Sequence, residues 1–169
     1  MIKTKNLTIR PISDSDDKPL FRIYGDKTHN AYNPSPPFPS IEHSQSVLRA
    51  WAEHWNVHGF GNHAISLIAD ESSVIGFGGF SVKTFKGNEV ISLGYKLSPE
   101  VWGNGFATEF VAAIIAHSQL TEHAAQVIAR THPENLASIR VLQKTGFSYL
   151  GHYDDHDGMG LIALFCREI

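Results

Sequence analysis

Lys96-Leu-Ser-Pro99-Glu-Val-Trp102-Gly103-Asn104-Gly105-Phe106-Ala107-Thr108-Glu109 is the stretch on which the reading of this chain turns. Before it, Val90, Ile91, Leu93 and Tyr95 make an apolar run that suits a buried strand; after it, Phe110 to Ile115 suits a helix. Pro99 cannot donate to a ladder and biases Ser98 toward extended backbone, so the strand ends there. Gly103 and Gly105 let the main chain approach a ligand closely, just where the unpaired N–H groups of a helix N-terminus point outward. Strand, glycine turn and helix together make a phosphate cradle of backbone amides. Spacing excludes two other cradles. A dinucleotide fingerprint needs a third glycine where Thr108 stands, and a Walker loop needs Gly-Lys-Ser/Thr, which is absent.

The flanking sequence reads as alternating elements. Residues 6 to 12 alternate as a first strand. Ser13 or Asp14 caps a helix with Leu20, Phe21 and Tyr24 as its stripe. Four prolines between Thr28 and Ser40 break helix formation, and Ile41 to Val57 resumes it, with Val47, Leu48, Trp51 and Trp55 at helical spacing up to His58-Gly59. Residues 64–69, 73–82 and 88–97 read as an antiparallel meander, joined by Asp70-Glu71-Ser72 and by Lys83 to Gly87. The run Gly76-Phe-Gly-Gly79 has no helix after it, so close backbone packing or a bulge explains it better than phosphate binding. Ala124 to Thr131 is a further strand, Pro133-Glu134 opens a helix, and Phe147 begins a closing hairpin.

With 169 residues, 42% hydrophobic and 18% charged, the chain suits a single domain spanning 1–169. Fourteen basic against 17 acidic residues leave a net charge of -3, which offers nucleic acid and anionic lipid no general attraction. The start, M-I-K-T-K-N, lacks an apolar signal core and no run of about eighteen apolar residues occurs, so a cytoplasmic location is expected. Cys166 has no partner in the chain for a disulfide. His54 and His58, four apart, read as a solvated histidine face because no third metal ligand is evident. His152 and His156, among Asp154, Asp155 and Asp157, read as a polar turn.

Trp102-Gly-Asn-Gly-Phe-Ala-Thr-Glu109 resembles the acetyl-CoA loop of the GNAT acetyltransferase superfamily, whose pattern is Gln/Arg-x-x-Gly-x-Gly/Ala. Gly105 and Ala107 fit it, and Trp102 at the Gln/Arg position is similar to the ribosomal-protein N-terminal acetyltransferase branch. Asn135-Leu-Ala-Ser138-Ile-Arg-Val-Leu142-Gln-Lys-Thr-Gly-Phe147 resembles that branch's N-x-x-S-x-x-V-L-x-K-x-G-F. The resemblance implies an α/β fold with α+β layering: a central mixed sheet of about seven strands, about four flanking helices and splayed parallel central strands.

It also implies the chemistry, namely acetyl transfer from acetyl-CoA to a primary amine, without a metal, by a monomer or homodimer. The pantetheine arm would pair with the backbone of Tyr95 and Leu97. The pyrophosphate would sit on the amides of Trp102, Gly103, Asn104, Gly105, Phe106, Ala107 and Thr108, so that Asn104→Ala would matter little if only its backbone is used. Asn135 would contact the cofactor arm or cap its helix. Much of the superfamily protonates the thiolate with a tyrosine where this chain has Leu142, so the role passes to Ser138, as in the branch. Branch members often carry a base at the position of Ser92; Glu89, or Ser92 holding a water, is the candidate here. Tyr32 and Phe38 would face the acceptor or tuck onto the core, and Glu109 would serve structure. A CoA-binding module without turnover and an acyltransferase for longer acyl chains are the alternatives.

Overall fold

A computed structural model describes residues 1–33, 35–118, 120, 124–155 and 160–169, with Asp155 described as backbone only. Of the polar turn expected at His152 to Asp157, His152, Asp154 and Asp155 instead belong to a strand, and His156 and Asp157 lie outside the described residues. Strands β1 (Ile2–Lys3), β2 (Leu7–Pro11), β3 (Asn62–Leu67), β4 (Asp70–Phe85), β5 (Asn88–Leu97), β6 (Gln126–Thr131), β7 (Ser148–Asp155) and β8 (Gly160–Glu168) form one sheet in the order β1-β2-β3-β4-β5-β6-β8-β7. β5 and β6 run parallel, and every other described pairing is antiparallel.

Two cores cover the two faces. Helices α1 (Asp17–Tyr24) and α2 (Ile41–His58) bury Leu20, Ile23 and Leu48 against Ala64, Val74 and Phe77. Helices α3 (Phe106–His117) and α4 (Leu136–Lys144) bury Phe110, Val111, Ile114 and Leu142 against Ile91, Leu93, Val127, Ala129 and Phe165. No helix among the described residues is long and apolar enough to cross a membrane.

The mixed sheet and four helices match the expected architecture, with one strand more. β1 is two residues long, too short to show any alternation. The Glu109 carboxylate holds the segment that follows it, accepting from Thr4 Oγ1 at 2.6 Å, Asn6 N at 2.7 Å and Asn6 Nδ2 at 2.8 Å. Burial alone would raise this carboxyl's pKa; the hydrogen bonds from Asn6 and Thr4 outweigh it and hold the pKa below its ordinary value. Glu109 is thus structural, as expected.

β4 corrects both expected links of the meander. Asp70, Glu71 and Ser72 belong to the strand, and the turn lies at residues 68–69. These residues are exposed, so their polarity could not tell strand from loop; Glu71 accepts from Lys3 Nζ at 2.6 Å and Thr8 Oγ1 at 2.9 Å. At the other end β4 reaches Phe85, and Lys86-Gly87 alone make the turn, with φ of 51° and 78°. In the run at 76–79, a Cβ on Gly78 would meet Tyr95 Cβ at 2.6 Å and Phe110 Cε1 at 2.8 Å, so close packing is the reason for the glycine.

His54 and His58 are not a solvated face. His54 Nδ1 donates to the Phe60 carbonyl at 2.9 Å, Nε2 accepts the Val82 N–H at 3.0 Å, and the two rings lie 4.4 Å apart. Its ring therefore carries the proton on Nδ1 and clamps α2 to β4. Burial lowers its pKa.

His63, on β3 opposite Gly78, is the more strongly perturbed histidine. Burial pushes it from 6.5 to about 4, and Nδ1 makes no hydrogen bond of normal geometry. The unfolded chain therefore binds this proton more readily than the folded one. Stability is complete above about pH 6.5 and declines as the pH falls toward 4, by on the order of 3 kcal/mol from this group. Denaturant titrations at pH 7 and pH 4.5 should show the decline, and His63→Asn should flatten it. An equally steep decline in the variant would assign the effect to other groups.

Candidate active site

The sheet opens where β5 and β6 part. Their register runs Ile91↔Val127, Ser92↔Ile128 and Leu93↔Ala129 and then stops. Beyond it, residues Gly94 to Leu97 remain paired to β4, and Arg130 and Thr131 to β8. Two strand edges thus face each other with backbone groups that no strand satisfies, and an extended ligand can pair with them.

The glycine turn stands at the mouth of this fork. β5 ends at Leu97, Pro99–Val101 make one 3₁₀ turn, and Gly103 and Gly105 adopt φ of 79° and 80°. Both are in the left-handed region, and beyond the adjoining residues no atom lies within 4 Å of where their Cβ atoms would be. Gly105 is the N-cap of α3 and supplies no side-chain cap. The N–H groups of Phe106, Ala107 and Thr108, in the first turn, have no intrahelical acceptor. The positive end of the helix dipole coincides with them.

Side chains fix the turn. Trp102 is 54% exposed, yet its Nε1–H donates to the Leu97 carbonyl at 2.9 Å, and His29 meets the indole edge-on at 5.5 Å. Asn104 contributes more than backbone: Nδ2 donates to the carbonyls of Val101 and Trp102, both at 3.1 Å. The condition attached to Asn104→Ala, that only its backbone is used, is therefore not met, since the side chain also bonds within the turn.

α4 brings the second motif to the same place. The Asn135 Oδ1 accepts the Ser138 N–H at 3.1 Å, so Asn135 caps the helix while its Nδ2 remains available. Ser138 neighbours Tyr95, whose ring packs 6.5 Å from Phe110. Burial pushes the Tyr95 phenol up, and the Ser138 hydroxyl pulls it partly back. Leu142, one turn further, is a core residue, 3% exposed.

The other candidates fall in different places. Tyr32 is 45% exposed and lies 5.4 Å from the His132 ring, linking the loop between α1 and α2 to the segment after β6 across the fork. Phe38 is tucked away, 5.1 Å from Tyr24 and 4.6 Å from His43, against the core of α1 and α2. Glu89 is exposed, opposite Thr84, ahead of the paired stretch Ile91 to Leu93, whereas the fork opens after it. There it lines a separate cavity of about 390 Å³ with His58, Phe60 and Ala124. Ser92, 8% exposed, lies inside the paired stretch at the base of the fork.

Two residues near the fork escaped the sequence reading. Tyr24 packs against Phe38, Trp51 and Phe77, and burial raises its phenol. Lys96 lies with its Nζ 5.3 Å from the Tyr24 ring centre and donates to Asn30 Oδ1 at 3.1 Å. Strand alternation could have found it, since Lys96 must face away from Tyr95 and Leu97.

Comparison with known proteins agrees with this geometry. Residues 6–148 match the family described as acetyltransferase (GNAT) domain. An uncharacterised N-acetyltransferase, p20, of Bacillus licheniformis is 25% identical over 154 residues, covering 91% of this chain and 85% of its own. The ribosomal protein uS5 alanine N-acetyltransferase of Escherichia coli is 24% identical, covering 92% and 81%. In fold, the chain is similar to a GNAT-family acetyltransferase from Bordetella pertussis (TM-score 0.83, 19% identity, 98% of each chain). It is also similar to a ribosomal L7/L12 N-terminal protein acetyltransferase in complex with coenzyme A (TM-score 0.81, 15% identity, 98% and 96%). The cradle, the fork and a family match over most of the chain agree: this protein belongs to the GNAT acetyltransferase family and is an N-acetyltransferase of the acetyl-CoA-dependent kind.

Proposed function

We propose that the chain transfers acetyl directly from acetyl-CoA, held in the β5–β6 fork, to a primary amine of a protein N-terminus or a small molecule. The observation that carries this reading is the unpaired edge of β5 running into the uncapped N-terminus of α3. In this reading the pantetheine arm adds to β5 at Tyr95 and Leu97 as a short strand, and the amides of residues 102–108 receive the pyrophosphate. Asn135 offers its Nδ2 to the arm while its Oδ1 holds the helix. The acceptor enters from the side of α1 and the loop that follows it, past Tyr32. The name of the Escherichia coli relative, an alanine N-acetyltransferase of a ribosomal protein, supports a protein N-terminus as one acceptor.

The amine, neutral on attack, forms a C–N bond to the thioester carbonyl; the C–S bond then breaks and the ammonium proton leaves to water. Ser138, beside the buried end of the arm, donates a hydrogen bond to the sulfur as charge develops on it. Glu89, placed before the fork, receives no step; Ser92, at its base, is the remaining group able to hold a water for the amine proton. The interaction of Ser138 strengthens only in the transition state, so Ser138→Ala should lower kcat with little change in acetyl-CoA affinity. A serine acting with water should contribute near or below about 100-fold, the lower end of general acid catalysis. Steady-state kinetics beside calorimetry checks this. Full kcat in the variant, with chemistry rate-limiting, would return Ser138 to a purely helical role.

A further inference from the structure

We infer that Lys96 recognises an anionic group of the acceptor, which makes the acceptor an amine bearing a nearby carboxylate, such as a free amino acid, rather than a polyamine or an aminoglycoside. The inference rests on the acetyl-transfer reading above and, of its two acceptor classes, favours the small molecule, whose amine can carry the α-carboxylate that a peptide N-terminus lacks.

Lys96 stands between Tyr95 and Leu97 on the segment of β5 that has lost its β6 partner. Tyr95 packs on Phe110 of α3, so alternation turns Lys96 to the opposite face, toward α1 and the loop after it. The contacts agree. Nζ reaches Asn30 Oδ1 at 3.1 Å and lies 5.3 Å from the Tyr24 ring centre, and the residue opposite it on β4 is Phe77, fully buried. The ammonium thus rests on an aromatic floor at the open edge of the fork, on the side from which an acceptor approaches.

It is also short of partners. An ammonium has three N–H donors, and Asn30 takes one. Among the described residues no carboxylate lies within 4 Å of it. Asp26, whose charge raises the ammonium's pKa, is engaged elsewhere: Oδ1 accepts the Thr28 N–H at 2.8 Å, and Oδ2 lies 2.8 Å from His29 Nδ1. Burial lowers the ammonium's pKa and Asp26 only opposes this, which agrees with a charge that lacks a carboxylate within 4 Å among the described residues. A half-buried charge is costly unless paired, and a carboxylate on the acceptor supplies that pair. A second cation in the same place would be repelled, so the residue selects against polycationic acceptors as well as for anionic ones.

The test uses the full chain with CoA bound. The complex is titrated calorimetrically with a panel of N-acetyl-amino acids and, side by side, their amides, which lack only the carboxylate. Within at least one pair the acid should bind about tenfold or more tightly than the amide, charge-assisted hydrogen bonds being roughly twice as strong as neutral ones. Lys96→Gln should abolish that preference, Lys96→Arg should keep part of it, and CoA affinity should change little in either. In turnover assays, kcat/KM should favour amino acids over their amides by a similar factor in the wild type and not in Lys96→Gln. Equal binding within every pair, no binding by any carboxylate, or a preference that survives Lys96→Gln overturns the inference. CoA affinity, read separately in the same samples, reports on the underlying reading: a wild type that fails to bind CoA sinks acetyl transfer itself, whereas CoA binding without carboxylate preference sinks only the role of Lys96.

Discussion

Gly105→Glu is expected to leave the protein folded and to cut CoA affinity by at least about 100-fold, which corresponds to about 2.7 kcal/mol. The argument has a conformational and an electrostatic part. Gly105 sits at φ 80°, where a side chain costs roughly 1–2 kcal/mol, but beyond the adjoining residues no atom lies within 4 Å of the new Cβ, so nothing in the fold is displaced. The carboxylate then enters the space in front of the α3 amides. It takes the place of a phosphate, repels the rest of the diphosphate, and satisfies the helix end that a ligand would otherwise satisfy. Gly105→Ala separates the two parts, since it carries the conformational cost without the charge and should lose far less affinity. Calorimetry with CoA on both variants, with far-UV spectra as a folding control, decides the matter. Unchanged affinity in a folded Gly105→Glu protein would remove the cradle from the mechanism.

Asp16→Ala should be the most damaging substitution away from the fork. Asp16 is 2% exposed, and its two carboxylate oxygens take both terminal nitrogens of Arg10, at 2.7 and 2.8 Å, while Oδ2 also accepts the Ser13 N–H at 2.7 Å. One carboxylate thereby ties β2 to the entry of α1, upstream of the loop that carries Asn30 and Tyr32. Removing one member of a buried ion pair costs about 3–5 kcal/mol; Arg10 is 28% exposed and can turn to water, so the lower end applies. For a chain of this size, about 3 kcal/mol corresponds to a fall in Tm of roughly 6–12 °C. Asp16→Asn, which keeps the acceptor for Ser13 and loses the charge, should fall in between. A drop of under about 2 °C for Asp16→Ala would show that solvent replaces the pair at little cost.

The site divides between what was legible in the sequence and what was not. Gly103, Gly105, Pro99 and the cap at Asn135 act through a few bonds of their own backbone. Their spacing therefore carried the strand end and the glycine turn into α3 correctly into three dimensions, whereas Pro133-Glu134, read as opening α4, form a turn ahead of its N-cap Asn135. The polar ends of β4 misled for an opposite reason: exposed residues such as Glu71 carry no alternation, and the ladder that Asp70 makes with Leu67 of β3 is visible only in the fold.

Side-chain neighbours set by chain closure over long separations needed the folded molecule. Lys96 finds Asn30 and Tyr24, Ser138 finds Tyr95, and His54 finds Val82, across 28 to 72 residues in which the sequence prescribes no direction. Phe38 was equally undetermined, because whether an aromatic in a proline-rich loop faces a ligand or the core depends on what α1 and α2 leave open; Tyr24 and His43 fill that choice. For Glu89, alternation gives a face of the strand but not its distance from the fork, which opens only past Leu93, at about 3.3 Å of strand per residue. Local backbone chemistry thus wrote the glycine turn into the sequence, whereas the side of the fork that holds Lys96, Asn30 and Tyr24 is assembled from separate segments, and packing alone decided which of their side chains meet.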